Sequence, residues 1–168
     1  GDLANLPEIV KLARKYNANI MVDEAHSLGV LGKKYSGRGV ADHFGLMNDV
    51  DLIMGTFSKS LASIGGFIAG DYPVINYIRH NARTNIFSAS ITPAATAAAS
   101  VALDILKSEP ERVKRLWELT HYAINMFEEN GFELGPTATP IMPLYVRDNE
   151  KTFLITKLLF DEGIFVNP

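Results

Sequence analysis

Two short apolar runs constrain the fold more than any other feature of the 168 residues. Ile20-Met21-Val22 leads into Asp23-Glu24-Ala25-His26, and Leu52-Ile53-Met54-Gly55 leads into Thr56-Phe57-Ser58-Lys59-Ser60. Each run is too short and too uniformly apolar for an amphipathic helix, so each reads as a strand buried on both faces of a parallel sheet. Both strands then deliver a reactive cluster at their C-terminal end. The pattern predicts an α/β architecture with its chemistry at that edge of the sheet, where open α/β sheets bind ligands.

The rest of the chain supplies supporting elements. Asn5 precedes a helix in which Leu6, Ile9, Val10, Leu12, Ala13 and Tyr16 recur at helical spacing, with Pro7 in the first turn and an end near Asn17. Glycines 29, 32, 37 and 39, with Lys33, Lys34 and Arg38 among them, mark residues 27–39 as a loop. Residues 40–46 allow a short helix, residues 65–70 a third strand, and Asp71-Tyr72-Pro73 starts a helix carrying Val74, Ile75, Tyr77, Ile78 and Ala82. Ile86-Phe87-Ser88 reads as a short strand. Thr92-Pro93 opens an alanine-rich helix, and Ser108, Pro110 and Glu111 form a capping-box signature for the next, which runs to Asn130 and stops at Gly131.

Beyond Gly131 the pattern becomes α+β: strands at 132–134 and 141–146, a helix over 150–162 capped by Gly163, and a strand at 164–166. A boundary near residue 109 therefore divides a large domain, 1–108, from the interdomain helix and the start of a smaller domain, 109–168. Gly1-Asp2-Leu3 runs straight into a helix signal and Asn167-Pro168 follows a strand signal directly, which predicts a piece of a longer polypeptide.

Composition narrows the functional classes. Apolar residues at 47% and charged residues at 21% describe an ordinary globular chain, and a net charge of −3 gives no general attraction to nucleic acid or anionic membranes. Without cysteine there is no disulfide, thiolate metal site or cysteine nucleophile, and an intracellular, cytoplasmic setting is allowed. No apolar run reaches the length of a membrane span. His43, His80 and His121 show no ligand spacing, so no metal is expected.

Lys59 is the residue that needs a chemical explanation. Set among Thr56, Ser58 and Ser60 behind a buried strand, with Gly65-Gly66 following, it reads as a lysine withheld from water. Desolvation favours the neutral, nucleophilic amine that condensation with an aldehyde requires. Hydroxyls and backbone N–H groups nearby suit a phosphate ester. An aspartate on the neighbouring strand, Asp23, would hold a pyridinium nitrogen protonated. Together these groups match pyridoxal 5'-phosphate.

The same residues carry a family resemblance. Asp23-Glu24-Ala25-His26-Ser27, Gly29, Gly32, Gly37-Arg38-Gly39, Gly55-Thr56-Phe57-Ser58-Lys59 and Gly65-Gly66 resemble the α-oxoamine synthases, fold-type I pyridoxal-phosphate enzymes. Gly1 to Pro7 and Phe165 to Pro168 resemble family segments as well. The family includes serine palmitoyltransferase, 5-aminolevulinate synthase, 8-amino-7-oxononanoate synthase and 2-amino-3-ketobutyrate coenzyme A ligase. Thr56 to Ser63 and Ile86-Phe87-Ser88-Ala89-Ser90 are most similar to the serine palmitoyltransferase branch.

The resemblance implies a mostly parallel-sheet large domain and decarboxylative condensation of an amino acid, L-serine in that branch, with an acyl-CoA, palmitoyl-CoA. The product would be 3-ketodihydrosphingosine. It implies Lys59 as covalent anchor and base, Asp23 on the pyridine nitrogen and His26 on the phenolic oxygen. Thr56 and Ser58 would hold the phosphate, and Ser88 would reach the phosphate in the partner subunit of a homodimer. A ring-stacking histidine and a carboxylate-binding arginine of the family have no counterpart among residues 1–168. The 8-amino-7-oxononanoate synthase and ketobutyrate ligase branches are the alternatives.

A rival comes from another class, because Asp23-Glu24-Ala25-His26 after an apolar strand also matches the Asp-Glu-Ala-His box of nucleotide-driven motors. No Gly-x-x-x-x-Gly-Lys-Ser/Thr loop accompanies it, and a motor leaves Lys59 and its hydroxyls without a role.

Overall fold

Helix α1 (Leu6–Tyr16) opens the chain in a computed structural model that describes residues 1–168. Proline in its first turn loses no hydrogen bond, and Asn17, in the left-handed conformation at φ 51°, stops it. Leu6 and Val10 fall on one face and retain only 3% and 2% of their exposure. Full burial of such side chains stabilises by about 1.5–3 kcal/mol each.

The chain then enters β1 (Met21–Asp23), and after α2 (Val40–Phe44) it returns through β2 (Leu52–Thr56) and β3 (Gly66–Gly70). The sheet order is β1-β2-β3. Strands β1 and β2 are parallel, with Asp23 level with Met54, whereas β2 and β3 are antiparallel, with Thr56 level with Gly66. The backbone N–H of Glu24 donates to the Met54 carbonyl at 2.7 Å, carrying the parallel ladder one residue past Asp23.

Leu6, Val10, Ile20, Leu31, Val40 and Ala41 form the core, and Val22, Phe44, Met47 and Trp117 pack against it. One expectation changes here. Strand β1 is not buried on both faces: Ile20 retains 9% exposure, but Met21 retains 60%. Side chains alternate across a strand, so with this core on a single face of a three-stranded sheet the intervening residue is left open. The exposed Ile9, Leu12 and Tyr16 of α1 continue that apolar surface.

The remaining helices are α3 (Tyr72–Asn81), α4 (Arg83–Ile86), α5 (Pro93–Ser108), α6 (Glu111–Glu129) and α7 (Asn149–Asp161). Thr92 caps α5 by accepting the Ala95 N–H at 3.3 Å, and Asp148 caps α7 by accepting the Lys151 N–H at 2.9 Å. Ser108 does not cap α6, as the capping-box reading expected. Its hydroxyl turns back on the Asp104 carbonyl at 2.9 Å, a local bond that closes α5 instead.

Two compact units emerge, Leu3–Glu118 and, separately, Gly1–Asp2 with Leu119–Pro168. In the second unit the expected strands at 132–134, 141–146 and 164–166 do not form. The Tyr145 N–H donates to the Glu133 carbonyl at 3.0 Å, but one bond is not a ladder. The Ile164 N–H is spent on the Leu159 carbonyl at 2.8 Å, closing the end of α7. In the first unit Ile86-Phe87-Ser88 is likewise no strand. The amides of Ile86 and Phe87 donate to Ala82 and Arg83 at 3.0 and 2.9 Å, so a helical turn takes the donors a strand would need. No helix is long and apolar enough to cross a membrane.

Candidate functional site

The parallel register puts the C-terminal ends of β1 and β2 side by side, and both polar clusters issue from that edge. On the β1 side the chain turns at once. An oxygen of Asp23 accepts the Ala25 N–H at 2.8 Å, an aspartate-type turn, and the amides of Ser27 and Leu28 return to the Glu24 carbonyl at 3.1 and 2.9 Å. Asp23 and His26 are exposed on this turn.

The turn is held from below by a residue the sequence reading treated only as part of its motif. Glu24 retains 1% exposure. Its carboxylate accepts the Val40 N–H at 2.7 Å, the Ala41 N–H at 2.9 Å and the Ser27 hydroxyl. Two free amides at the start of α2 thus meet a buried anion, which satisfies both. Gly39 permits this approach: a Cβ there would lie 2.5 Å from the Glu24 carboxylate, and its φ of +103° suits glycine. The signal was present in the sequence as an acid after an apolar strand and a glycine before a helix, but nothing in the spacing joined them.

A second carboxylate shapes the same glycine-rich loop. Asp42 accepts the Lys33 N–H at 2.9 Å and the Ser36 hydroxyl at 2.7 Å, and it pairs with Arg38 at 3.6 Å. Burial alone pushes its carboxyl up. The Ser36 hydroxyl, the Lys33 amide and the charges of Arg38 and Lys33 outweigh burial and leave it below the ordinary aspartate value.

On the β2 side Thr56 is the root of a closed loop. Its hydroxyl donates to the Gly65 carbonyl at 3.1 Å, accepts the Ser58 N–H at 3.2 Å and lies 2.8 Å from the Ser58 hydroxyl. The Phe57 N–H donates to Gly65 and the Ser63 N–H to Phe57, at 2.9 and 2.8 Å. Leu61 plugs the loop into the interior at 3% exposure, and the Ser63 hydroxyl ties it to the Ala95 carbonyl of α5 at 2.7 Å. Lys59 stands between these anchors.

The expectation of a lysine withheld from water is corrected by the structure, in which Lys59 is exposed. It follows the end of β2 by three residues, beyond the part of the sheet that the core covers. The loop fixes its backbone and leaves its side chain in solvent.

Asp23 and His26 on one turn, and Thr56, Ser58 and Lys59 on the other, share one sheet edge. Ser88 is not joined to them by any hydrogen bond, since its hydroxyl returns to the Thr84 carbonyl of its own segment. The chemistry assembled is an accessible primary amine, two adjacent hydroxyls able to turn toward an anion, a carboxylate with one oxygen engaged, and an imidazole. No group of three or more metal-ligating side chains is present. A cavity of about 570 Å³ opens at the opposite end of the strands, lined by Ile20, Asp49, Asp51 and Gly70 among others, and holds none of these residues.

The model of the aminotransferase class I and II family matches residues 1–168. A serine palmitoyltransferase of Bacteroides thetaiotaomicron is 71% identical over 168 residues, covering 100% of this chain and 42% of that protein. An 8-amino-7-oxononanoate synthase of Petrotoga mobilis is 47% identical over 167 residues, covering 99% of this chain and 42% of that protein. Among solved structures, a serine palmitoyltransferase variant from S. paucimobilis with a bound PLP–myriocin aldimine superposes with a TM-score of 0.92 at 35% identity. That match covers 100% of this chain and 44% of the other. The chain therefore spans less than half the length of the relatives it matches.

Proposed function

Because the chain belongs to the aminotransferase class I and II family, we propose that residues 1–168 carry the lysine-bearing part of a pyridoxal 5'-phosphate site in an acyltransferase. A full-length chain of the relatives' size would condense L-serine with palmitoyl-CoA, releasing carbon dioxide and coenzyme A and giving 3-ketodihydrosphingosine. The observation that carries this reading is the register of β1 and β2, which sets the Asp23–His26 turn beside the loop of Thr56, Ser58 and Lys59. The higher identity to the serine palmitoyltransferase, 71% against 47% for the 8-amino-7-oxononanoate synthase, favours that branch.

The donor set fits the cofactor. Lys59 offers an exposed amine on a fixed backbone, and the Thr56 hydroxyl, which here donates to the Gly65 carbonyl, and the Ser58 hydroxyl 2.8 Å from it can redirect their protons to a phosphate. Asp23 has one oxygen engaged by Ala25 and the other available for a ring N–H. When bound, pyridoxal phosphate supplies an aldehyde that condenses with amines and a ring that stores the electron pair left at the amino acid's α-carbon.

The protein groups do the rest. The Lys59 amine would hold the cofactor through its aldehyde and, when free, would take the α-proton of the substrate at Nζ. The Asp23 carboxylate would pair with the ring nitrogen, His26 would donate to the phenolic oxygen, and Thr56 and Ser58 would hold the phosphate end. Ser88, whose hydroxyl now faces its own segment, would serve the phosphate of a partner subunit, which makes the protein a homodimer with shared sites. Residues 1–108 belong in this reading to the large cofactor domain and 109–168 to the interdomain helix and the start of the small domain. In this reading the protein works in the cytoplasm, where its acyl-CoA substrate would be met.

The deciding experiment is the absorbance spectrum of the full-length protein with pyridoxal phosphate before and after borohydride reduction, with peptide mapping of the label. A yellow protein labelled on Lys59 supports the assignment, and a colourless protein that hydrolyses ATP overturns it. Spectral shifts and acyl-CoA consumption with serine, glycine and alanine then divide the branches. Condensation driven by glycine or alanine in place of serine would remove the serine palmitoyltransferase assignment.

A further inference from the structure

The two halves of the site are tied to each other by one side chain. The Ser60 hydroxyl, adjacent in sequence to Lys59, donates to the Leu28 carbonyl, two residues after His26, at 2.5 Å. The acceptor stands on a fixed base. The Leu28 N–H is bonded to the Glu24 carbonyl at 2.9 Å, and Glu24 is itself locked to the amides of Val40 and Ala41. The donor stands on a base just as fixed, between the Leu61 plug and the Ser63 tie to Ala95.

Gly29 makes the contact possible. A Cβ at position 29 would fall 2.4 Å from the Ser60 Cβ and 2.6 Å from its hydroxyl, and the φ of Gly29 is +80°. Backbone therefore meets Ser60 at a distance no other residue allows. Ser60 is exposed, so water would satisfy its hydroxyl at little cost, and the fold gains little from this bond. What the bond does set is the spacing between two turns that no strand pairing reaches.

Resting on the pyridoxal-phosphate reading above, we propose that Ser60 is a positioning residue, whose hydroxyl bond to Leu28, with Gly29 leaving room for it, fixes the Lys59 backbone relative to Asp23 and His26. Lysine has a long flexible side chain, so its amine is only as well placed as its backbone and its partners make it. Displacement of a reacting group by about 1 Å costs on the order of 10²-fold in rate.

The test uses the full-length holoenzyme with Ser60→Ala, Ser60→Thr and Gly29→Ala. Five quantities are read: the cofactor dissociation constant, the pH titration of the visible band, kcat, KM for serine, and the thermal midpoint. Hydrogen exchange over residues 57–65 is measured on the cofactor-free protein. Ser60→Ala is expected to weaken cofactor binding about 10-fold, displace the titration of the visible band, accelerate exchange in the loop and lower kcat by about 10- to 100-fold. KM for serine and the thermal midpoint should stay near the parent's.

Ser60→Thr, which keeps the hydroxyl, should recover most of the loss, and Gly29→Ala should show the same losses in cofactor binding and kcat together with a lower thermal midpoint from its strained φ of +80°. The proposal is overturned if Ser60→Ala titrates and binds cofactor like the parent. It is also overturned if the threonine variant is as damaged as the alanine one, or if the Ser60→Ala loss merely tracks a fall in thermal midpoint. A parent protein that stays colourless with cofactor removes the reading on which the proposal rests. That outcome is distinct from a coloured parent with an indifferent Ser60→Ala.

Discussion

Replacing Glu24 by alanine should be among the most damaging single changes to the fold around the site. The carboxylate is the acceptor for the amides of Val40 and Ala41, which retain 7% and 0% exposure and so do not face bulk solvent. A buried donor left without an acceptor costs about 1–3 kcal/mol, and two such donors give a loss of about 2–6 kcal/mol. Against a total stability of about 5–15 kcal/mol this is a large fraction. Glu24→Gln keeps one acceptor oxygen but turns an N–H₂ toward the second donor, and should lose roughly half as much.

Trp117, the only tryptophan, reports on this region because its indole N–H donates to the Val30 carbonyl of the same loop at 2.8 Å. Urea unfolding followed by Trp117 fluorescence gives the midpoint and slope needed. Gly39→Ala supplies a cross-check, since its methyl would strike the same carboxylate at 2.5 Å. Combined with Glu24→Ala its effect should be less than additive, because the group it strikes has gone. A Glu24→Ala protein within about 0.5 kcal/mol of the parent, the range of an ordinary surface change, would refute the reasoning.

Lys59→Ala touches no packing, so its unfolding free energy should stay within about 0.5 kcal/mol of the parent's. Acyl-CoA consumption by the full-length variant should fall by at least about 10²- to 10⁴-fold, and turnover within tenfold of the parent would contradict Lys59 as the base. Asp42 predicts an acid limb in stability. Its carboxyl titrates below the ordinary 3.8 in the folded chain, so its contribution is complete above that value and is lost as pH falls through 3.8 toward the lower folded value. Asp42→Asn should flatten the stability profile in that window and leave neutral pH as the region of greatest difference. An unchanged acid limb by urea midpoints from pH 2.5 to 6 would rule this out.

Residues 1–130 were largely legible because their signals are local. Proline in a first turn, asparagine able to adopt a left-handed end, and threonine ahead of proline act within one helical turn, and α1, α3 and α5 begin or end where those residues fall. Apolar runs bounded by polar clusters gave β1, β2 and the shared edge in the same way. Beyond Gly131, β-rich stretches did not become strands. A strand is defined by its neighbour, and Glu133 and Tyr145 share a single backbone bond where a ladder would need several.

The sequence by itself determined which side chains could take part in chemistry, because residue type and order along two strands are properties of the chain: Asp23 and His26 after one, Thr56, Ser58 and Lys59 after the other. Only the tertiary structure decided what holds those groups and how open they are. Lys59 is exposed, Glu24 is buried under Val40 and Ala41, and Ser60 reaches Leu28 across 32 residues of chain. The physical reason is range. Capping, turn chemistry and alternation act between near neighbours and are written in spacing, whereas burial and the pairing of Glu24 with Gly39 arise where distant segments fold together, and no local period records that meeting.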